Sequence, residues 1–282
     1  MFKLALVTDT ASDLTIKQLE KYQIEMLHYQ IIYKDKIYRD QLDITSREVI
    51  RNLEVEVPST SLPPLEEIEQ TFDRLKEAGY THVLVVTLSS GLSGCYNAVR
   101  MIQQDYEGLQ IYVYDSKTIS IAEGMLILKA AELREKGYNL EQIVLELDKF
   151  RAKQHTLFIV DTLKYLMVGG RIGHVSGTIG TLLNLKPIIT IGEDGKYKTF
   201  AKVRGRAKAI STFVKQCMEI TSQEGRYNIY MNHGDGEDIK NTIKEQLLTL
   251  PHVETFEDWD WISPVACVHA GPGYVGMLIQ EI

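Results

Sequence analysis

The segment Thr87-Leu88-Ser89-Ser90-Gly91-Leu92-Ser93-Gly94-Cys95-Tyr96 joins an apolar strand pattern to a helical one, and its small residues leave backbone open to close approach. The first N–H groups of a helix lack intrahelical partners and sit at the positive end of its dipole, so an anion can bind there, with serine hydroxyls as extra donors. Ser93 is the pivotal candidate, with Gly94 beside it. Serine is also a favoured N-cap, and the residues alone leave both roles open. A second hydroxyl cluster, Ser59-Thr60-Ser61, precedes Leu62-Pro63-Pro64. It reads as a loop before a helix, able either to face the first cluster or to serve as turn chemistry. In Gly169-Gly170-Arg171-Ile172-Gly173 the glycines allow close backbone approach, and Arg171 offers a guanidinium to a carboxylate or phosphate; the alternative is an exposed arginine in a turn. His269 stands before the tight turn Gly271-Pro272-Gly273 and after the apolar run Pro264–Val268, where the residues alone favour a packed core histidine.

Enzyme chemistries meet the sequence unevenly. A hydrolase nucleophile elbow needs G-x-S-x-G, but Gly91-Leu92-Ser93-Gly94-Cys95 has cysteine in the last glycine's place. No G-x-x-x-x-G-K-[ST] phosphate loop occurs, so a phosphorylation would draw its ATP from another protein. A lipid-processing serine hydrolase using Ser93 and His269 stays open only if the two lie within hydrogen-bond reach and a third group orients the histidine. Asp9-Thr10-Ala11-Ser12-Asp13 places two carboxylates after a strand; aspartate and serine there serve as turn and cap residues more readily than as metal ligands.

A formal net charge of −7 over 282 residues argues against a general nucleic-acid binder. The strongest basic run, Lys202, Arg204, Arg206 and Lys208, reads as solvated surface or as a docking site for an acidic partner. Cys95, Cys217 and Cys267 form no disulfide framework and no C-x-x-C spacing, which fits a reducing compartment. The opening Met1–Asp9 is too short in its apolar part for a signal segment, and no run approaches the roughly 18–20 apolar residues of a membrane span. The expected location is the cytoplasm.

These candidates need elements to hold them. Leu4–Thr8, His82–Thr87 and Gln110–Tyr114 read as parallel strands, followed by helical patterns at Thr15–Tyr22, Ser93–Gln104 and Ile119–Lys136, with a small hairpin over Met26–Tyr33 and Lys36–Tyr38 and a helix at Leu65–Glu77. Leu140–Phe150 completes the helical layer, and the character changes near residue 152. Beyond it come a strand at Thr156–Val160 and a hairpin of Pro187–Ile191 with Tyr197–Val203 about Asp194-Gly195. Helices at Arg206–Ile220 and Glu237–Leu250 and strands near Tyr227–Met231 and Gly276–Gln280 follow. The expected fold is α/β in two lobes: residues 1–152 a parallel sheet flanked by helices, residues 153–282 an α+β lobe with antiparallel strands, and a site between them. The aliphatic run Ile179–Ile189 can line a channel wall or pack as ordinary core.

Val7–Asp13, Thr60-Ser61-Leu62-Pro63, Ser89–Gly94, Gly169–Ile172 and His269–Gly273, in this order across nearly the whole chain, resemble the DegV family, whose members include the FakB-type subunits of bacterial fatty-acid kinase. The resemblance implies a non-enzymatic carrier with no cofactor and a long-chain fatty acid as ligand, its acyl chain in an apolar tunnel between the lobes. It implies a carboxylate held by Thr60, Ser61, Ser93 and Gly94, with Arg171 and His269 at the head-group end facing a separate ATP-dependent kinase. Partners would be that kinase and, transiently, a membrane, with acyl-phosphate passing to phospholipid synthesis. A lipid-responsive sensor would share the pocket without the kinase. Leu62, Cys95 and Ala270 depart from the family's more usual Gln, Thr and Thr, which thins the polar network near the head group.

Overall fold

The computed structural model describes residues 2–181, 185–222, 225–248 and 250–282. Strand β1 (Leu4–Asp9) leads through α1 (Ile16–Tyr22) to β2 (Ile24–Leu27) and the short β3 (Gln30–Ile32) and β4 (Ile37–Arg39). After α2 (Ser46–Asn52) come β5 (Ser59–Ser61), α3 (Leu65–Glu77), β6 (His82–Thr87), α4 (Cys95–Asp105), β7 (Gln110–Asp115), α5 (Ile121–Glu135) and α6 (Leu140–Ala152). The second half runs β8 (Gln154–Ile159), α7 (Lys164–Val168), β9 (Ile188–Ile191), β10 (Tyr197–Ala201), α8 (Arg206–Thr221), β11 (Tyr227–Gly234), α9 (Glu237–Leu247), β12 (Val253–Trp261), α10 (Pro264–Ala270) and β13 (Tyr274–Glu281).

Strands β2-β1-β6-β7, in that order, form a parallel sheet. Side-chain alternation buries both of its faces. Ala5, Val7, Val83 and Val85 pack with Phe72 of α3 and Val99 of α4, while Leu4, Leu6, Leu84 and Val86 pack with Leu126 and Ile127 of α5 and Ile143 and Leu147 of α6. Helix α3 shows why these segments coil: Ile68, Phe72 and Leu75 recur at helical spacing on one buried face, with Glu66 and Glu67 in the first turn and Arg74 and Lys76 in the last, matching the dipole.

The second sheet has the order β10-β9-β8-β13-β11-β12 and is antiparallel except for the β11–β12 pair. One face packs on α8 and α9 through Leu157, Ile229, Met231 and Ile279 against Phe213, Cys217, Ile243 and Leu247. From the other face Phe158 and Tyr274 join the core of the first lobe, so one apolar cluster spans both halves of the chain. The mixed α/β architecture is the expected one. The expected hairpin about Lys34-Asp35 is present as the antiparallel pair β3–β4, but its first limb is shorter than Met26–Tyr33: Met26 and Leu27 belong to β2 at the edge of the parallel sheet, and β3 also pairs with β5 in a separate small sheet. Of the aliphatic run at 179–189, Ile188 and Ile189 are core residues on opposite faces of β9, and residues 182–184 lie outside those described.

Candidate functional site

In an open parallel sheet the carboxyl ends of the strands carry the loops that can form a site. Here the loops after β1, β6 and β7 converge there, contributing Ala11, then Leu88, Leu92 and Ser93, then Ile119 and Ser120, to one cavity. Facing them are Thr156 and Phe158 of β8, Tyr197, Asn232, and Met277 and Leu278 of β13, so the cavity lies between the lobes. It has about 60 Å³ of room for the centre of a water-sized sphere, and its walls are mainly aliphatic and aromatic.

One end of this cavity is polar. Thr60 Oγ1 and His269 Nε2 are 3.0 Å apart. Arg171 hooks around this end, its Nη1 donating to the Gly169 carbonyl at 2.5 Å and its Nε to the Leu92 carbonyl at 3.4 Å, one residue before Ser93. Ser93 Oγ lies 2.8 Å from the Tyr29 hydroxyl and accepts from the Cys95 amide at 3.2 Å. The N-cap of α4 is Gly94, so Ser93 is not the cap residue itself; one position earlier, it accepts from the first helical amide and presents a hydroxyl to the cavity. Thr60, Ser93, Arg171 and His269 all line the cavity. Ser61 and Gly94 do not: the Ser61 hydroxyl donates to Gln30 Oε1 at 3.0 Å, and Gly94 precedes the first turn of α4. The physical reason for the division is that Ser59–Ser61 is a strand rather than a loop, so Thr60 and Ser61 point to opposite faces.

Arg171 is the one charged side chain on the cavity wall among the described residues, and it makes no ion pair with a described carboxylate. Burial, and then the Arg171 charge, push the His269 imidazole down to about 4, so it is neutral at pH 7, and its Nδ1 has no hydrogen-bond partner among the described residues. Burial and the neighbouring Asp9 charge hold the Tyr29 phenol well above its ordinary range. The polar end thus offers hydroxyls, a neutral imidazole and one uncompensated cation, a donor set suited to a single anion such as a carboxylate. It is ill suited to hydrolysis, because Ser93 pairs with Tyr29 while His269 pairs with Thr60, and no side chain among the described residues orients the free imidazole nitrogen.

Behind this end lie buried acids whose work is structural. Asp9 accepts from the amides of Ala11 at 3.0 Å and Leu88 at 2.8 Å, tying the loops after β1 and β6 together. Burial raises it to about 6, and burial with the Asp9 charge holds Glu123, whose Oε1 accepts from the Thr8 hydroxyl at 3.4 Å, well above the ordinary carboxylate range. Asp13 accepts from the Ser263 amide at 2.7 Å, from Asn232 at 3.0 Å and from Ser120. Asp40 accepts from the Val265 amide at 3.0 Å. Two carboxylates of the first lobe therefore grip the N-terminal end of α10, whose other end carries His269. The His269 ring rests on Gly169, where any Cβ would come 2.1 Å from Nδ1, so a larger residue there must displace the ring. The glycine at 91 has a similar origin: the Asp194-Gly195 turn of the β9–β10 hairpin packs against it, leaving 2.7 Å to a built Cβ, and Ser89 Oγ donates to the Gly195 carbonyl at 2.8 Å. Ser89 and Ser90 are thus committed to the scaffold, Ser90 receiving a bond from Lys117 at 3.1 Å.

Sequence reasoning missed Tyr29, Asn232 and Ser120. Tyr29 stands alone between two short strands, and nothing in its spacing marks it; Asp13, by contrast, was legible as a cap residue, although the helix it holds begins 251 positions later, at Pro264.

Taken together, fold and site define a two-lobed α/β protein with an apolar cavity between the lobes and an anion-compatible end at the strand termini. The chain belongs to the DegV family: the family model described as "Uncharacterised protein, DegV family" matches residues 3–281. A DegV domain-containing protein of Clostridium acetobutylicum is 41% identical over 281 residues, covering 100% of both chains. Among solved structures, one titled as fatty acid binding of a DegV family protein from Thermus thermophilus superposes with a TM-score of 0.92 at 29% identity, covering 100% of each chain. DegV from Bacillus subtilis, described as a fatty acid binding protein, superposes with a TM-score of 0.90 at 28% identity and the same coverage.

Proposed function

We propose that this protein binds a long-chain fatty acid, with the acyl chain in the cavity between the lobes and the carboxylate at Thr60, Ser93, Arg171 and His269. The carrying observation is that an apolar cavity ends in a cluster whose one charge, among the described residues, is a guanidinium in no ion pair. Burying an acyl chain is worth about 0.8 kcal/mol per CH₂, and the carboxylate stays charged only if donors replace its water. Ser93 supplies a hydroxyl, Arg171 the counter-charge, and neutral His269 a donor from Nδ1, in the tautomer fixed when Nε2 accepts from the Thr60 hydroxyl. Ser61 and Gly94 act one step behind the carboxylate, Ser61 by fixing β5 to Gln30 and Gly94 by opening α4. The likeness to fatty-acid-binding DegV structures supports the ligand class.

Within that function the chain itself performs no chemistry. It takes a fatty acid from a membrane during transient contact, offers the carboxylate to a separate ATP-dependent fatty-acid kinase, and carries the acyl-phosphate toward phospholipid synthesis in the cytoplasm. None of the described helices is long and apolar enough to cross a membrane. In the test, purified protein loaded with palmitate is mixed with ATP and a DegV-partner kinase, and acyl-phosphate is trapped as the hydroxamate. Product that appears with the wild type and falls with Ser93→Ala supports the carrier role. Stable palmitate binding with no hydroxamate under any kinase tried removes the kinase half and leaves a lipid-responsive sensor.

A further inference from the structure

The far end of the cavity is closed by very little. Thr156 and Leu278 are direct cross-strand partners on the cavity face of the second sheet, and beside them lie Ile121 and Ala122 of α5. Past Thr156 the same strand reaches across to α5 through Gln154 Nε2, which donates to the Ala122 carbonyl at 3.1 Å. Thr156 also lines a second, solvent-open cleft formed with Arg151, His155, Thr190 and Lys198. That cleft has a structural cause. Strand β9 pairs with β8 only at Phe158 and Ile159, and beyond them it leaves the ladder, so the Thr156 carbonyl accepts from the Thr190 hydroxyl at 2.7 Å instead of from a strand amide. Among the described residues the half-buried Thr156 is the one that lines both the apolar cavity and the solvent-open cleft, while its neighbours Leu157 and Phe158 are fixed in the two cores.

We propose that Thr156 sets the length of the acyl chain this protein accepts, acting as the end stop of the channel. The inference rests on the fatty-acid reading and deepens it. A chain that reaches Thr156 gains burial with every methylene; one longer must push the terminal methyl past the threonine into the solvent-open cleft, where Arg151, His155, Glu193 and Lys198 mix with Ile191 and Phe200 and each further methylene gains less. Truncation at this position opens a passage to the cleft, and enlargement moves the stop inward, while the head-group end, on other elements, is untouched.

The experiment compares affinities for laurate, myristate, palmitate, stearate and arachidate in the wild type and in Thr156→Ala, Thr156→Val and Thr156→Leu. In the wild type, affinity should climb by about fourfold per added methylene and then break at one length. T156A should shift the break to longer chains, T156L to shorter ones by at least tenfold in affinity for the longest chain the wild type holds, and T156V, which keeps the shape, should leave it in place. Variants that bind fatty acids with the wild-type break would overturn the end stop while leaving the fatty-acid reading intact. A wild type that binds none of the five would remove both. Should T156L fail to fold, T156A against T156V still decides the matter, because only the first changes the length of the channel.

Discussion

Arg171 and His269 sit close enough for the guanidinium to depress the imidazole, and this coupling can be measured without any ligand. In Arg171→Met the His269 ring should titrate at a higher pH than in the wild type, read from its NMR proton shifts; an unchanged titration would mean that burial alone sets it. The same substitution should weaken fatty-acid binding by about 10–100-fold, the range expected when a charged hydrogen bond worth roughly 1.5–3 kcal/mol is removed. Ser93→Ala should weaken it by about 5–10-fold and Tyr29→Phe by less, since the Ser93 hydroxyl survives the latter. The sign of the His269 contribution to stability follows from its direction. Its folded pKa, about 4, lies below the ordinary 6.5, so the folded state sheds a proton that the unfolded chain keeps. Stability from the neutral ring is full above pH 6.5 and is lost as pH falls toward 4. His269→Gln should therefore cancel about 2 kcal/mol of the wild type's loss across that window, after discounting for the solvent the ring still meets, as followed by urea unfolding at several pH values.

At the scale of elements, the sequence was most legible where a single strand or helix settled the question. The limits Leu65–Glu77 and His82–Thr87 follow from periodicity and coincide with α3 and β6. Strand β12 escaped because its Glu and Asp residues read as loop, whereas as an edge strand it needs few buried side chains. Strand β5 escaped because Ser-Thr-Ser before prolines reads as a turn, and only pairing with β3, about 29 residues away by the Ile31–Thr60 register, makes it extended. That pairing decides which hydroxyl faces the cavity, so the choice between Thr60 and Ser61 was not available from spacing. Helix α10 shows the same limit: its grip by Asp13 and Asp40 is a tertiary fact. Asp13→Ala should cost about 2–4 kcal/mol in urea unfolding, because it strands the Ser263 amide, Asn232 and Ser120 together. Gly169→Ala should leave the fold cooperative yet weaken ligand binding, since its new methyl group displaces the His269 ring.

At the scale of the whole molecule, the cavity is walled by both lobes, which share one apolar cluster. A ligand held there touches elements far apart in sequence and binds only the folded chain, so saturating it at about 100 times its dissociation constant should add about 2.7 kcal/mol to the unfolding free energy. The most direct test of a fatty acid seated between the lobes is native mass spectrometry of the protein purified from bacterial cells, with the retained lipid extracted and identified, beside an Arg171→Met preparation. The expected result is one long-chain fatty acid per chain in the wild type and a depleted population in the variant. An empty wild type that also refuses added fatty acids of every common length would contradict the account at its centre.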